Sequence, residues 1–309
     1  MRNILSSGDA DFLHEMAECR LCPRQCGANR YEKPGYCRAG AEVRVAKACL
    51  HHWEEPGISG TRGSGTVFFS HCSLQCAFCQ NYPVSHEGLG KPVTIRRLAD
   101  IFLELQDQGA HNVNLVTPTH FVPHIREALI LVKGTRLNIP VVYNSSGYDD
   151  VAALQQLAGL VDIYLPDLKY YDSRLSRRWS KAPDYFRWAN RAVTEMLRQV
   201  GPPAFDEDRV LQRGLMIRHL TLPGLLEDSK RIVDWVLDNL PREVYLNLMS
   251  QYTPLGRAAR FPELNAPVSR EQYAALVDYA VGRGLENGYV QEPESADAEY
   301  VPAFDLSGV

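Results

Sequence analysis

What this chain lacks narrows its reading first. No stretch approaches the roughly 18 consecutive apolar residues of a membrane-spanning helix. The opening "MRNILSSGDADFLHEMAEC" carries acidic residues and lacks the apolar run of roughly 7 or more that a secretory leader needs. The expectation is a cytoplasmic protein without a membrane partner. Neither charge sign dominates: 33 Lys and Arg stand against 37 Asp and Glu, a formal net charge of -4. That balance points away from nucleic acid as a partner, and the one compact basic run, "SRLSRRWSK" at 173–181, reads as a solvated loop rather than a phosphate-binding stripe. There is no internal repeat. Cysteine is absent from everything after Cys79 in a chain of 309 residues.

The eight cysteines that are present therefore crowd the N-terminal quarter. In a reducing compartment such clustering speaks for metal binding or catalysis rather than disulfides. Cys19, Cys22, Cys26 and Cys37 follow C-x2-C-x3-C-x10-C, with the tight turn "CPRQCG". Four thiolates make a closed site, which suits structural zinc or an auxiliary iron–sulfur cluster, and spacing does not separate the two. Cys49 is left over and reads as a buried free thiol. The second group differs: "HCSLQCAFCQN" places Cys72, Cys76 and Cys79 at C-x3-C-x2-C. Three thiolates four and three residues apart wrap one corner of a cubane and leave the fourth iron open to a ligand. The alternative is zinc held by the same cysteines with His71 or His86 as fourth ligand; His71 otherwise reads as a strand-end packing residue.

From about residue 65 the pattern turns periodic. Strand candidates fall at 65–70, 112–116, 139–144, 161–165, 214–220 and 243–249. Between them helical spacing appears, first at Ile95, Leu98, Ala99, Phe102 and Leu105 with Thr94 as N-cap and Gly109 as stop. It recurs near 122–133, 149–158, 184–199, 228–240 and 269–284. Near-continuous apolar strands alternating with helices imply a parallel sheet covered on both faces. Six such units curve into a partial barrel with function at the C-terminal strand ends, where the three-cysteine loop sits. The long gap 166–213 is expected to add an active-site loop to its helix. The aperiodic end is expected either to pack over the barrel as an arm or to be partly disordered.

The three-cysteine loop after a first strand, with Phe78 just before the last cysteine, resembles the signature of the radical S-adenosylmethionine (radical SAM) superfamily. Further segments, "NLVTPTHF", "YNSSGY", "IYLPDLKYYD", "IRHLTLPG" and "LNLMSQYTPLG", resemble pyruvate formate-lyase activating enzyme-like proteins over residues 16–257. The implied fold is α/β: a partial (β/α)6 TIM-like barrel of the radical SAM type at 61–287, with an N-terminal cysteine-rich metal module at 1–60 and a C-terminal arm at 288–309. The resemblance implies a [4Fe-4S] cluster on Cys72, Cys76 and Cys79 whose free iron chelates S-adenosylmethionine. One electron, from a donor such as flavodoxin or ferredoxin, then cleaves that cofactor to a 5'-deoxyadenosyl radical. It also implies that Phe78, Gln80 and Asn81 lie near the adenine, and that Asp167 and Lys169 contact the ribose and carboxylate region; an exposed strand-end ion pair is the alternative. Asn144, Ser145 and Ser146 either bind the cofactor's polar groups or cap the next helix. Where many members carry a Gly-Gly-Glu-like segment for the methionine amino group, this chain has Thr117, Pro118, Thr119 and His120, so the two threonines become the candidates. Arg218, His219 and Gln251 are pocket residues or satisfied core groups. The substrate is a protein or peptide in one reading and a small molecule in the other; a non-catalytic zinc scaffold is the third.

Overall fold

The computed structural model describes residues 14–291 and 302–309. Its sheet starts with β1 (Arg44–His51), which runs antiparallel to β2 (Ser64–Phe69). Then come β3 (Val113–Val116), β4 (Val141–Ser145), β5 (Ile163–Pro166), β6 (Leu211–Leu220) and β7 (Tyr245–Met249), each parallel to the one before. All six expected strands form, in sequential order. β2, β4 and β5 are buried along their whole length, as parallel strands covered on both faces must be.

The covering helices are α1 (Ile95–Asp107), α2 (Val122–Val132), α3 (Val151–Gln155), α4 (Ser173–Ser180), α5 (Tyr185–Val200), α6 (Leu226–Asn239) and α7 (Arg270–Gly282). In α1 the Thr94 hydroxyl accepts from the Arg97 N–H at 3.1 Å, and Leu98, Ala99, Ile101, Phe102, Leu103 and Leu105 are buried; the N-cap and the apolar stripe are those the spacing predicts. The edge beyond β7 is met by residues 287–291, which donate to and accept from Leu246 and Leu248.

Three features depart from the sequence expectation. β1 is absent from the expected strands: its burial does not alternate, and a register shift lies between Val45 and Lys47, so no period-2 signal marks it. The basic run at 173–181 is not a loop but helix α4, because Asp172 caps its N-terminus at Arg174 N and Trp179 and Ser180 turn inward while the arginines face water. The helix expected over 149–158 is confined to α3, and residues 156–160 form turns.

Of the C-terminal arm, 292–301 lies outside the described residues. Residues 302–309 lie along β1: Ala48 N–H donates to Ser307 O at 3.0 Å, Lys47 Nζ meets Asp305 Oδ1 at 2.8 Å, and Phe304 packs edge-on against Phe68.

Candidate active site

The loop after β2 is shaped by two non-glycine residues in the left-handed region, His71 (φ 73°) and Gln75 (φ 54°), a conformation that persists only where the surroundings impose it. Its backbone is pinned from outside: Ala77 N–H donates to Trp179 O at 2.8 Å, and Arg257 N–H to Ala77 O at 2.7 Å. Each of the three sulfurs receives hydrogen bonding. Leu74 N–H reaches Cys72 Sγ at 3.4 Å, Ser180 Oγ reaches Cys76 Sγ at 3.1 Å and Ser85 Oγ reaches Cys79 Sγ at 3.2 Å. Burial pushes the Cys72 thiol up to about 11, so ligation by a metal must displace a proton there.

All three sulfur-bearing residues line one cavity of about 240 Å3 at the C-terminal strand ends. Neither His71 nor His86 lines it. Three hydrogen-bonded thiols on one cavity are a donor set that suits a cluster taking a separate thiolate at each of three iron corners.

Part of the same cavity wall is charged. Asp167 follows β5 and Arg218 lies on β6; Arg218 Nε donates to Asp167 Oδ1 at 2.9 Å, its Nη1 to Glu54 Oε2 at 3.2 Å and its Nη2 to Asn144 Oδ1 at 2.5 Å. Lys169 Nζ reaches Asp167 Oδ2 at 2.5 Å. The Asp167–Lys169 pair is thus buried in a network, not exposed at a strand end: the side chains are 18% and 15% accessible. Burial alone would raise Asp167, but Arg218 and Lys169 overrule it and hold the carboxyl below its ordinary value. Burial likewise works against charge on Lys169 and Arg218, and the carboxylates around them keep both raised.

Glu54 is the residue that sequence reasoning missed. It lies between β1 and β2, lines the cavity, and accepts from Asn114 at 3.1 Å and Asn144 at 3.4 Å. Neighbouring Glu55 accepts from Asn247 at 3.2 Å. Burial raises both carboxyls, Arg218 opposing. The overlooked signal was a lone asparagine inside each of two apolar strands, Asn114 and Asn247, since a polar group among buried neighbours requires a partner.

The other candidates divide. Phe78 is buried edge-on against Tyr170 and Tyr252. Gln80, Asn81, Thr117, Ser145, Ser146 and Gln251 all line the cavity with the thiols. Gln80 Nε2 donates to Gln251 O at 3.0 Å, and Asn81 precedes the one-turn helix Tyr82–Ser85. Thr117 sits at φ 62°, a costly position for a β-branched residue, with its N–H bonded to Asn144 O. Thr119 is not on the cavity wall: it is buried with its hydroxyl donated to Asp149 Oδ1 at 2.6 Å. Ser145 lines the cavity and does not cap the next helix, whose N-cap is Asp150; its hydroxyl donates to Asp149 Oδ2 at 2.6 Å and accepts from Gly147 N–H. Gly147 stands at φ 73°, and a Cβ there would come 2.1 Å from Asp167 O. A Gly147→Ala chain is therefore expected to lose about 2 kcal/mol or more in denaturant midpoint measurements.

His219 is a core group, not a cavity residue. Its Nδ1 faces Leu168 O at 2.6 Å and its Nε2 faces Ser229 Oγ at 2.9 Å, an arrangement a neutral ring satisfies. Burial depresses it to about 4 from an ordinary 6.5. Such a histidine contributes stability that is full above pH 6.5 and drains away as pH falls toward 4. Between pH 7 and pH 5 its share of the loss is roughly 2 kcal/mol, so the unfolding free energy from urea titrations should fall by that much less over the interval in His219→Gln.

In the N-terminal module Cys19, Cys22 and Cys37 are buried and Cys26 is exposed. Burial raises Cys22, and Cys37, Cys19 and Cys26 all lie near enough to raise it further. A Cβ on Gly35 would stand 3.4 Å from Cys26 Sγ and 3.7 Å from Cys37 Sγ, so both thiols flank this glycine. Cys49, expected to be a buried free thiol, is free but only half-buried, on β1.

A parallel α/β partial barrel with a three-thiol loop at the C-terminal end of its first parallel strand defines a class of cofactor-dependent enzyme. The Radical SAM superfamily profile matches residues 66–236, more than half of the chain, and this protein belongs to that superfamily. It is 30% identical over 278 residues to the uncharacterized protein MJ0674 of Methanocaldococcus jannaschii, covering 87% of this chain and 75% of that one. Among solved structures, SuiB of Streptococcus suis bound to its precursor peptide SuiA superposes with a TM-score of 0.50 at 15% identity, over 72% of this chain and 46% of SuiB. The present chain thus spans less than half of SuiB's length. A domain of pyruvate-formate lyase-activating enzyme from Bacteroides vulgatus gives a TM-score of 0.36 at 14% identity, over 64% of this chain and 91% of that domain. Among the described residues no helix is long and apolar enough to cross a membrane.

Proposed function

We propose that this protein binds a [4Fe-4S] cluster through Cys72, Cys76 and Cys79 and uses S-adenosylmethionine to oxidise a protein or peptide substrate, as a glycyl-radical activase or side-chain-modifying enzyme. The observation that carries this is the cavity in which three hydrogen-bonded sulfurs face a buried Asp167–Lys169–Arg218 network. When bound, the cluster and cofactor supply a 5'-deoxyadenosyl radical that takes a hydrogen atom from the substrate.

The chain's own residues do the positioning. Charges fixed by buried partners need no reorganisation when a zwitterionic ligand arrives; Asp167 offers acceptors to hydroxyls, and Lys169 and Arg218 offer donors to a carboxylate. Phe78, Gln80 and Asn81 stand beside the thiols to receive a planar base, while Asn144, Ser145, Ser146, Thr117 and Gln251 supply polar wall. Tyr170 and Tyr252 pack edge-on against Phe78 beside the thiols, which limits water on the cluster side of the cavity. The four N-terminal thiols hold zinc or a second iron–sulfur cluster, and the reductant is a flavodoxin- or ferredoxin-type donor in the cytoplasm. A peptide substrate is favoured by the family resemblance and by the peptide seen on SuiB.

The test is anaerobic reconstitution with iron and sulfide, reduction, and chromatography for 5'-deoxyadenosine after adding S-adenosylmethionine. Deuterated candidate peptides then report the substrate: deuterium in the recovered 5'-deoxyadenosine identifies it, and no product from any preparation ends the reading.

A further inference from the structure

The outer edge of β1 is occupied by a segment of the same chain. Lys91 and Pro92 meet that strand at Val45 and Arg44, and further along it residues 302–309 take over. From Pro302 to Ser307 exposure alternates: Pro302, Phe304 and Leu306 are half-buried, and Ala303, Asp305 and Ser307 are exposed. That is the period of an extended chain laid on a sheet. The strip grips the segment by its backbone. Ala48 N–H donates to Ser307 O at 3.0 Å, Lys47 Nζ to Ala303 O at 2.8 Å and Arg97 Nη2 to Gly308 O at 3.3 Å. It also grips two side chains. Phe304 packs on the apolar patch of Ala46, Phe68 and Val84, its ring centre 5.3 Å from that of Phe68. Asp305 Oδ1 meets Lys47 Nζ at 2.8 Å, and the lysine side chain is left only 12% accessible.

The strip leads into the candidate active site. Pro302 lines the cavity that holds the three thiols, and so do His51 at the end of β1 and Phe68, on which Phe304 packs. Packing for stability alone requires no residue in that cavity, yet this segment places one there. Its bound form therefore shows what an extended peptide needs in order to lie on β1 and reach the thiols.

We propose that this strip of β1 is the docking site of the peptide substrate, recognised as an extended segment with an aromatic residue followed directly by an acidic one, and that residues 302–309 occupy it in cis until the substrate displaces them. This rests on the peptide reading proposed above. Sheet edges receive extended peptides through main-chain hydrogen bonds that give affinity and side-chain pockets that give selection. Here Ala48 supplies the first, and the Phe68 patch with Lys47 supplies the second. A tethered segment competes at an effective concentration of about millimolar, so a free peptide gains the strip when that segment is weakened.

The test uses the full chain and a fluorescein-labelled peptide PAFDLSGV, the sequence of residues 302–309, read by fluorescence anisotropy. The full chain carrying Phe304→Ala and Asp305→Ala should bind this peptide about tenfold or more tightly than the unaltered chain. Adding Lys47→Ala should reverse most of that gain. Equal binding to the two chains, no binding to either, or a gain that ignores Lys47→Ala overturns the docking site. If the double variant does not fold, Asp305→Ala alone, at an exposed position, takes its place with an expected gain of about threefold, and no gain overturns the proposal. For a deuterated peptide that transfers its label, the double variant should show a lower KM at unchanged kcat, with unlabelled PAFDLSGV competing; the same KM in both chains overturns the displacement. The binding measurement needs neither cluster nor cofactor. Its failure leaves 5'-deoxyadenosine formation intact, whereas absence of 5'-deoxyadenosine ends the proposed function and leaves the binding result standing.

Discussion

Replacing Cys76 with alanine is expected to reduce 5'-deoxyadenosine formation to the level of reagents without enzyme. Cys76 is buried, so no water or neighbouring carboxylate substitutes for its sulfur as a ligand, and its partner Ser180 Oγ would be left facing a void. A three-thiolate site has no spare ligand for the corner that is lost. Ser180→Ala is the graded control. It removes one hydrogen bond to the sulfur but no ligand, so it should weaken cluster retention by about 10- to 100-fold while leaving measurable product. The check is iron content and product yield in the same preparations. Full product from Cys76→Ala would remove these thiols from the chemistry.

Arg218→Met is expected to be the most destabilising substitution at the cavity. The guanidinium contacts Asp167, Glu54 and Asn144 together. Removing it leaves Glu54 without its cation and Asp167 with Lys169 alone, and breaking such a partly buried pair costs up to about 3–5 kcal/mol. The sign of the pH response is the diagnostic. Burial already raises Glu54 against the pull of Arg218; without the arginine, its folded-state value moves higher still. A carboxyl with a raised folded value gains stability as pH falls, so the deficit of Arg218→Met should shrink between pH 7 and pH 5. The double variant Arg218→Met with Glu54→Gln should recover part of the loss at pH 7. Urea denaturation of the four chains at two pH values closes the cycle. A deficit that ignores pH and the second substitution would mean that packing, not charge, is what Arg218 provides.

Legibility in the sequence followed the range of the interactions concerned. The six parallel strands were readable because a strand buried on both faces must be an apolar run, and α1 because its cap and stripe are local in sequence. The basic run at 173–181 misled because charge dominated its composition, while the two inward residues that fix the helix, Trp179 and Ser180, gain their meaning only from the loop they pack against. β1 escaped because its pairing with β2 and with the C-terminal arm, not any internal period, makes it a strand. Glu54 escaped because its partners Asn114, Asn144 and Arg218 are 60, 90 and 164 residues away.

The sequence by itself determined the chemistry this chain is equipped for: one open set of three thiols and one set of four, on a parallel α/β scaffold. Thiol number and spacing are covalent facts, and the strand periodicity comes from burial. Only the tertiary structure decided that Asp167 and Lys169 are buried rather than exposed, that Thr119 turns away from the cavity to Asp149, and that Glu54 closes the charged wall. These are long-range contacts between polar groups, and a polar side chain carries no mark in the sequence of which distant partner will satisfy it.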